Sequence, residues 1–228
     1  MSDQGSVFLV SGASGNLGQS VVAALAAQGA RVVAADRRDA RAGPDVALGV
    51  GGVDFLDPAA CDALVAQALE RFGRLDGVAH TVGGFTMVAA AEADPEAWER
   101  MFRLNLITTA NLFRAALPPM RAAGRGSLVA VAAGAALSAG TRLGPYAASK
   151  AAVLRLVDAF AAETKAEGVR VNAVLPGTMD TPQNRAAMPR ADTSRWVRTG
   201  EVAQAIAFLL GNGASGVTGA ALPVTGRG

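Results

Sequence analysis

Ser6-Val-Phe-Leu-Val-Ser11-Gly12-Ala-Ser14-Gly15-Asn16-Leu17-Gly18 is the stretch whose reading decides the fold. Ser6 to Ser11 is a short apolar run that ends at glycine, which predicts a buried strand. Asn16 to Gln28 has helical periodicity and stops at Gly29, a C-cap signal. Gly12, Gly15 and Gly18 lie between the two. Three glycines there allow a tight turn and let the backbone approach a pyrophosphate at a helix N-terminus. The whole loop, including Ser14, Asn16 and Leu17, is therefore a candidate dinucleotide site.

The same alternation continues along the chain. Strands are expected at Arg31–Ala35, at the glycine-rich Val46–Val53, and at Leu75–Thr81, Ser127–Ala132, Val169–Leu175 and Ala220–Val224. Helices are expected from Asp57-Pro58 to Phe72, and from Asp94-Pro95 towards Leu117, where Pro118-Pro119 disturbs or ends the run. Two more are expected at Pro145–Glu167 and Glu201–Leu210. Strands alternating with helices of this length predict a parallel sheet covered on both faces. The 176–199 segment lacks strong periodicity. Long loops in compact domains are usually functional lids, and Met188 and Trp196 imply that this one packs on something.

The length of 228 residues suits one domain over 1–228. Hydrophobic residues make up 51% and aromatics only 5%, so the core is built mainly of Ala and Val. The net charge is +2, and the densest basic cluster, Arg37, Arg38 and Arg41, is broken by Asp36 and Asp39. No nucleic-acid footprint follows. A single cysteine, Cys61, excludes an internal disulfide and fits a reducing compartment, the cytoplasm. A single histidine, His80, excludes multi-histidine metal sites, and no metal is expected. Met1 to Gly5 has no basic leader region. The longest uncharged run, Val202 to Gly226, is interrupted by Gln204, Asn212 and glycines and is no membrane span.

Asp36 ends the second strand, eighteen residues after Gly18. A carboxylate there can accept hydrogen bonds from an adenosine ribose and repel a 2′-phosphate. At ~4 Å and an effective dielectric of ~20, each unit charge pair is worth roughly 4 kcal/mol. NAD(H) is thus preferred, with NADP(H) as the alternative because Arg37 and Arg38 pull the other way. Tyr146 is the only tyrosine, and Lys150 follows it by one helical turn. A fixed cation there would lower the phenol's pKa and let the pair pass a proton near neutral pH.

Together these pieces resemble the short-chain dehydrogenase/reductase family over the whole chain. The resemblance implies a doubly wound Rossmann-type α/β domain with a seven-stranded, mostly parallel sheet, and hydride transfer between a nicotinamide and a small organic substrate. It implies that Asp54 contacts the adenine region, and that Val82, Gly83 and Gly84 let the cofactor lie near the fourth strand. It also implies that Pro176-Gly177-Thr178 closes over the nicotinamide, and that Asn105 positions Lys150 beside Tyr146. His80 stands where the family has Asn, as a structural substitute. A homodimer or homotetramer is implied as well: the 145–167 helix is apolar nearly all round, with Ala147, Ala148, Ala151 and Ala152 on one part and Val153, Leu154, Leu156, Val157 and Phe160 over much of the rest.

The family's active-site Ser, thirteen residues before the Tyr, is replaced by Ala133. That gap, Val82-Gly-Gly-Phe85, Ala135-Ala-Leu137 and the string Leu175–Trp196 resemble dihydropteridine reductases within the family. Three readings stay open: reduction of a dihydropteridine-like C=N compound, ordinary carbonyl/alcohol chemistry that recruits Ser138, Thr141 or water, and a non-catalytic NAD(H)-binding sensor or scaffold.

Overall fold

The computed structural model describes residues 5–40 and 43–227. The expectation of no leader at Met1–Gln4, the place of Arg41 in the basic cluster and the last residue of the tail, Gly228, lie outside them. The strands are β1 (Val7–Ser11), β2 (Arg31–Ala35), β3 (Leu48–Val50), β4 (Gly77–His80), β5 (Gly126–Val131), β6 (Val169–Pro176), β7 (Met179–Asp180), β8 (Val197–Arg198) and β9 (Ala221–Val224). The α-helices are α1 (Asn16–Ala27), α2 (Pro58–Phe72), α3 (Pro95–Phe102), α4 (Thr108–Ala123), α5 (Gly144–Thr164), α6 (Pro182–Ala187) and α7 (Thr199–Leu210).

Seven strands form one sheet in the order β3-β2-β1-β4-β5-β6-β9. Every pairing in it is parallel, so the sheet is wholly parallel rather than mostly so. Alternate residues face opposite layers, as the strand period of two requires. Leu9, Val33, Val78, Leu128 and Val171 face a layer that draws on α2, α4 and α5. Phe8, Val10, Val32, Val129 and Val174 face one built on α1 and α7. Strand order reverses direction between β1 and β4, which opens a crevice at the carboxyl ends of those strands.

Local chemistry sets the helix ends. Asp57 caps α2 by accepting from the Ala59 N–H, with Pro58 in the first turn and Gly73 closing it at φ 70°. Asp94 caps α3 in the same way through Ala97 N–H. The expected break at Pro118-Pro119 is not there: α4 runs through both to Ala123 and ends at Gly124. Each internal proline costs about 3 kcal/mol. Leu112, Phe113, Leu117 and Met120 are buried on the same helix, each contributing roughly 1.5–3 kcal/mol, and that burial carries the helix across. The break lies upstream instead, where Arg103–Ile107 is a π-helical turn between α3 and α4.

β3 covers only Leu48–Val50 of the expected 46–53, because Gly51 and Gly52, the latter at φ 74°, end it. On α5, Val153, Leu154 and Val157 are buried in the layer that packs on the sheet. The outer side carries Arg155 and Asp158, paired at 2.9 Å, among half-buried Ala148, Ala151, Ala152, Leu156 and Phe160. The 176–199 segment is structured: β7 and β8 pair in parallel at its two ends, and α6 and a 3-10 turn at Thr193–Arg195 lie between them.

Candidate active site

The β1–α1 loop forms one wall of the crevice. Gly12 sits at φ 71°, where a Cβ would come 2.9 Å from Thr81 Oγ1. At Gly18 a Cβ would overlap the Gly12 carbonyl oxygen and lie 2.8 Å from Ala13 Cα, so only glycine lets α1 start this close to β1. No side chain caps the N-terminus of α1. Leu17 is buried in the α1–α7 core and shapes the loop from behind. A cavity of about 400 Å³ opens in front, lined by Gly12, Gly15, Asp36, Arg37, Asp54, Val82 and Gly83 among others. Thr81, Phe55, Leu56, Leu104 and Thr108 also line it and were not singled out from the sequence.

The Asp36 carboxylate is buried and held in place by backbone donors. Its two oxygens accept from Ser14 N–H at 3.0 Å and Arg38 N–H at 2.9 Å. Arg38 Nε lies 3.6 Å from the same carboxylate, on a side chain that is largely exposed, so this pair adds little. Asp54 accepts from Leu56 N–H at 2.9 Å in the turn below. Asn16 does not face the cavity wall alone; its Nδ2 donates to Gln183 of α6 at 2.6 Å.

Behind this wall a buried chain of hydrogen bonds joins β4 to α5. Asn105, in the π-helical turn, accepts from Gly84 N–H at 2.8 Å and donates to Gly84 O at 3.2 Å and to Ser149 Oγ at 2.9 Å. Ser149 Oγ donates to the Tyr146 carbonyl at 2.7 Å. Asn105 therefore braces the Tyr146 backbone. It makes no direct bond to Lys150, although a Cβ on Gly83 would come 2.8 Å from Asn105 Oδ1 and 3.2 Å from Lys150 Nζ. Gly84 is not at the cavity wall: it packs on Leu104 and Met101, where a Cβ would come 2.7 Å from Leu104. The sequence carried no signal for the π-turn or for Ser149.

Lys150 is buried, and its Nζ donates to Val131 O at 2.7 Å. Burial pushes its pKa down to about 8. Burial also pushes the Tyr146 phenol up to about 12. The expected lowering of Tyr146 by Lys150 is therefore absent from this structure, because the ammonium is turned to Val131 O. At that value the phenol is protonated throughout the physiological range.

Tyr146 opens into a second cavity of about 480 Å³, with Ala133, Ser138, Pro176, Gly177 and Thr178. Phe85 stands edge-on to the Tyr146 ring, 4.9 Å between centroids. Phe85 is 57% exposed and Met87 50%, which makes an apolar rim. Met179, Asn184 and Met188 come from the 176–199 segment. Phe85 and those three lay inside stretches quoted from the sequence, but nothing in a strand or helix period told that they converge on Tyr146. Ala133 lines the same cavity as Tyr146. Thr141 is exposed and does not line this cavity, whereas Ser138 does.

His80 and Cys61 are buried. Burial pushes the Cys61 thiol up to about 11. His80 Nε2 lies 3.1 Å from Thr108 Oγ1, whose own proton goes to Leu104 O at 2.8 Å. Nε2 must then be the ring donor, and Nδ1 accepts from Ser11 Oγ at 2.8 Å. Burial, helped by the Lys150 charge, pushes the His80 pKa down to about 3. An unfolded histidine takes a proton below about 6.5 while the buried ring does not, so stability falls as pH drops from there towards 3. At pH 4.5 the expected loss from His80 is about 3 kcal/mol. Urea midpoints at pH 7 and 4.5 should fall less in His80→Gln than in the parent; an equal fall removes His80 from the acid response. Among the described residues, no group of three or more His, Cys, Asp or Glu is placed to hold a metal ion. No helix among them is long and apolar enough to cross a membrane.

The chain was compared with known proteins. A family profile described as enoyl-(acyl carrier protein) reductase matches residues 12–226. The chain is 34% identical to trans-4-hydroxycyclohexanecarboxylate dehydrogenase of Sinomonas cyclohexanicum, over 96% of this chain and 91% of that one. It is 35% identical to the cis-4-hydroxycyclohexanecarboxylate dehydrogenase of the same organism, over 96% and 95%. Among solved structures, carveol dehydrogenase of Mycobacterium avium in complex with NAD superposes with a TM-score of 0.87 at 26% identity, over 98% of this chain and 97% of that one.

Proposed function

The chain belongs to the short-chain dehydrogenase/reductase family and is an NAD(H)-dependent oxidoreductase, and we propose that it interconverts a ring-bearing alcohol and its ketone. The observation that carries this is the placement of Tyr146 in the lining of a largely apolar cavity that also includes Gly177 and Thr178. The names of relatives support the substrate type, since several act on hydroxylated six-membered rings.

The residues fit a dinucleotide. Gly12 and Gly18 leave room that a Cβ would fill, α1 presents uncapped N–H groups, and the cavity of about 400 Å³ runs from there past Asp36. Gly12, Ser14, Gly15, Asn16 and Gly18 would cradle the pyrophosphate. Asp36 retains one acceptor lone pair on each oxygen for ribose hydroxyls, with Arg37 at the rim and Asp54, Val82 and Gly83 along the base. A bound nicotinamide supplies or accepts the hydride. In the reductive direction Tyr146 gives its proton to the oxygen on which charge develops. Lys150 holds a positive charge below about pH 8 behind Gly83, and Asn105 and Ser149 fix the start of α5. The 176–199 segment serves as a lid over the substrate.

A second reading is kept by Ala133. With no hydroxyl there, a ketone oxygen loses one hydrogen bond, a loss typically worth about 10²–10³ in rate. A conjugated C=N compound of the dihydropteridine type makes no such demand. One assay separates the two: initial rates with cyclohexanone-type ketones and with quinonoid dihydropterin, each with NADH and NADPH. Faster ketone turnover with NADH supports the proposal; dihydropterin alone being reduced supports the second reading. NADPH matching NADH would show that Arg37 and Arg38 outweigh Asp36.

We also place the enzyme in the cytoplasm as a homodimer or homotetramer. Support comes from the unpaired Cys61 and from the alanine-rich outer side of α5. Light scattering that gives a monomer at micromolar concentration would count against the assembly, and activity recovered with an extracellular fraction against the location.

A further inference from the structure

We propose that the substrate of this site is uncharged, and that the cavity discriminates against carboxylates. The proposal rests on the alcohol/ketone chemistry above and adds the class of molecule. Among the described residues, the cavity of about 480 Å³ has no charged side chain in its lining. Its walls are Phe85, Met87, Leu143, Met179 and Met188 with small residues between them. Thioether side chains adapt to apolar rings of differing outline.

The polar groups present point the same way. Asn184 gives one Nδ2 hydrogen to Met179 O at 2.8 Å, keeps its other N–H and its Oδ1, and carries no charge. Ser138, Thr178 and Tyr146 offer hydroxyls, and none is a cation. On the same segment Arg185 grips Asp180 through two bonds of 2.6 and 2.8 Å, and Arg190 is exposed and does not line the cavity. Arg195 lines the neighbouring cavity together with Asp192, and its Nε donates to Arg227 O at 3.1 Å. Lys150 lies behind Gly83, outside the lining. A carboxylate entering the cavity would lose its water without gaining a counter-charge, which is costly.

The experiment compares 4-hydroxycyclohexanecarboxylate with its methyl ester at pH 7, where the acid is ionised. Turnover with NAD and binding to the protein–NADH complex are both read. The ester is expected to exceed the acid in kcat/KM by about tenfold or more. An acid turned over as well as the ester, or better, overturns the proposal and leaves the alcohol chemistry standing. If neither is turned over, calorimetric binding decides. Tighter binding of the ester upholds the uncharged class while the reaction assignment fails. Equal binding, tighter binding of the acid, or no binding of either overturns it.

Discussion

Tyr146→Phe is expected to lower turnover by roughly 10²–10⁴-fold while NADH binds as before. Tyr146 is the only ionisable side chain in the lining of the second cavity among the described residues. Burial pushes its phenol up to about 12, so in the proposed reductive reaction it would start protonated. Phe preserves the ring that stands edge-on to Phe85, and the Asn105–Ser149 chain reaches residue 146 through its backbone carbonyl, which the substitution leaves alone. Loss of rate can therefore be separated from loss of structure. Steady-state rates with the best ketone, and NADH affinity from nicotinamide fluorescence, make the check. Near-full activity would remove Tyr146 from the chemistry.

Gly18→Ala is expected to abolish useful NADH binding, with an affinity loss of about 10²-fold or more and a stability loss of roughly 1–3 kcal/mol. The added methyl meets the Gly12 carbonyl oxygen and the Ala13 Cα. Both are backbone atoms of the loop itself, so relief means moving the loop. Gly15→Ala is the control: its nearest neighbour would be Gly12 O at 3.2 Å, close enough to shift by tenths of an ångström. Fluorescence titration and thermal melts should rank Gly18→Ala well below Gly15→Ala. Equal behaviour of the two would show that the loop yields at little cost.

Much of this was legible in the chain because local rules agreed with the fold. The run from Ser6 to Gly18, the Asp57-Pro58 and Asp94-Pro95 caps and the alternating strands each specify a local geometry. That geometry leads to a parallel sheet with few alternatives. The cofactor wall was legible for the same reason, since glycines at fixed offsets have a backbone meaning. The wall around Tyr146 was not. Phe85, Met179, Asn184 and Met188 come together through tertiary packing of two loops, and no sequence period records that. Pro118-Pro119 misled because the penalty is local while the burial that offsets it is distant. The direction of Lys150 also lay beyond reach: whether an ammonium faces a phenol or the Val131 carbonyl is decided by the end of β5.

The pairing of β7 with β8 has a consequence for affinity. Met179 and Asp180 lie beside Val197 and Arg198, so the chain between them is a hoop with both feet fastened. Ordering one backbone residue costs roughly 1–2 kcal/mol of lost freedom, and a free flap would lose that freedom each time a ligand arrived. A hoop has surrendered part of it during folding. In the proposed reaction, a substrate that met Asn184 and Met188 would face a smaller entropic debt. Cutting the clamp, for example with Val197→Pro, should show its effect first in KM, with the sheet still intact.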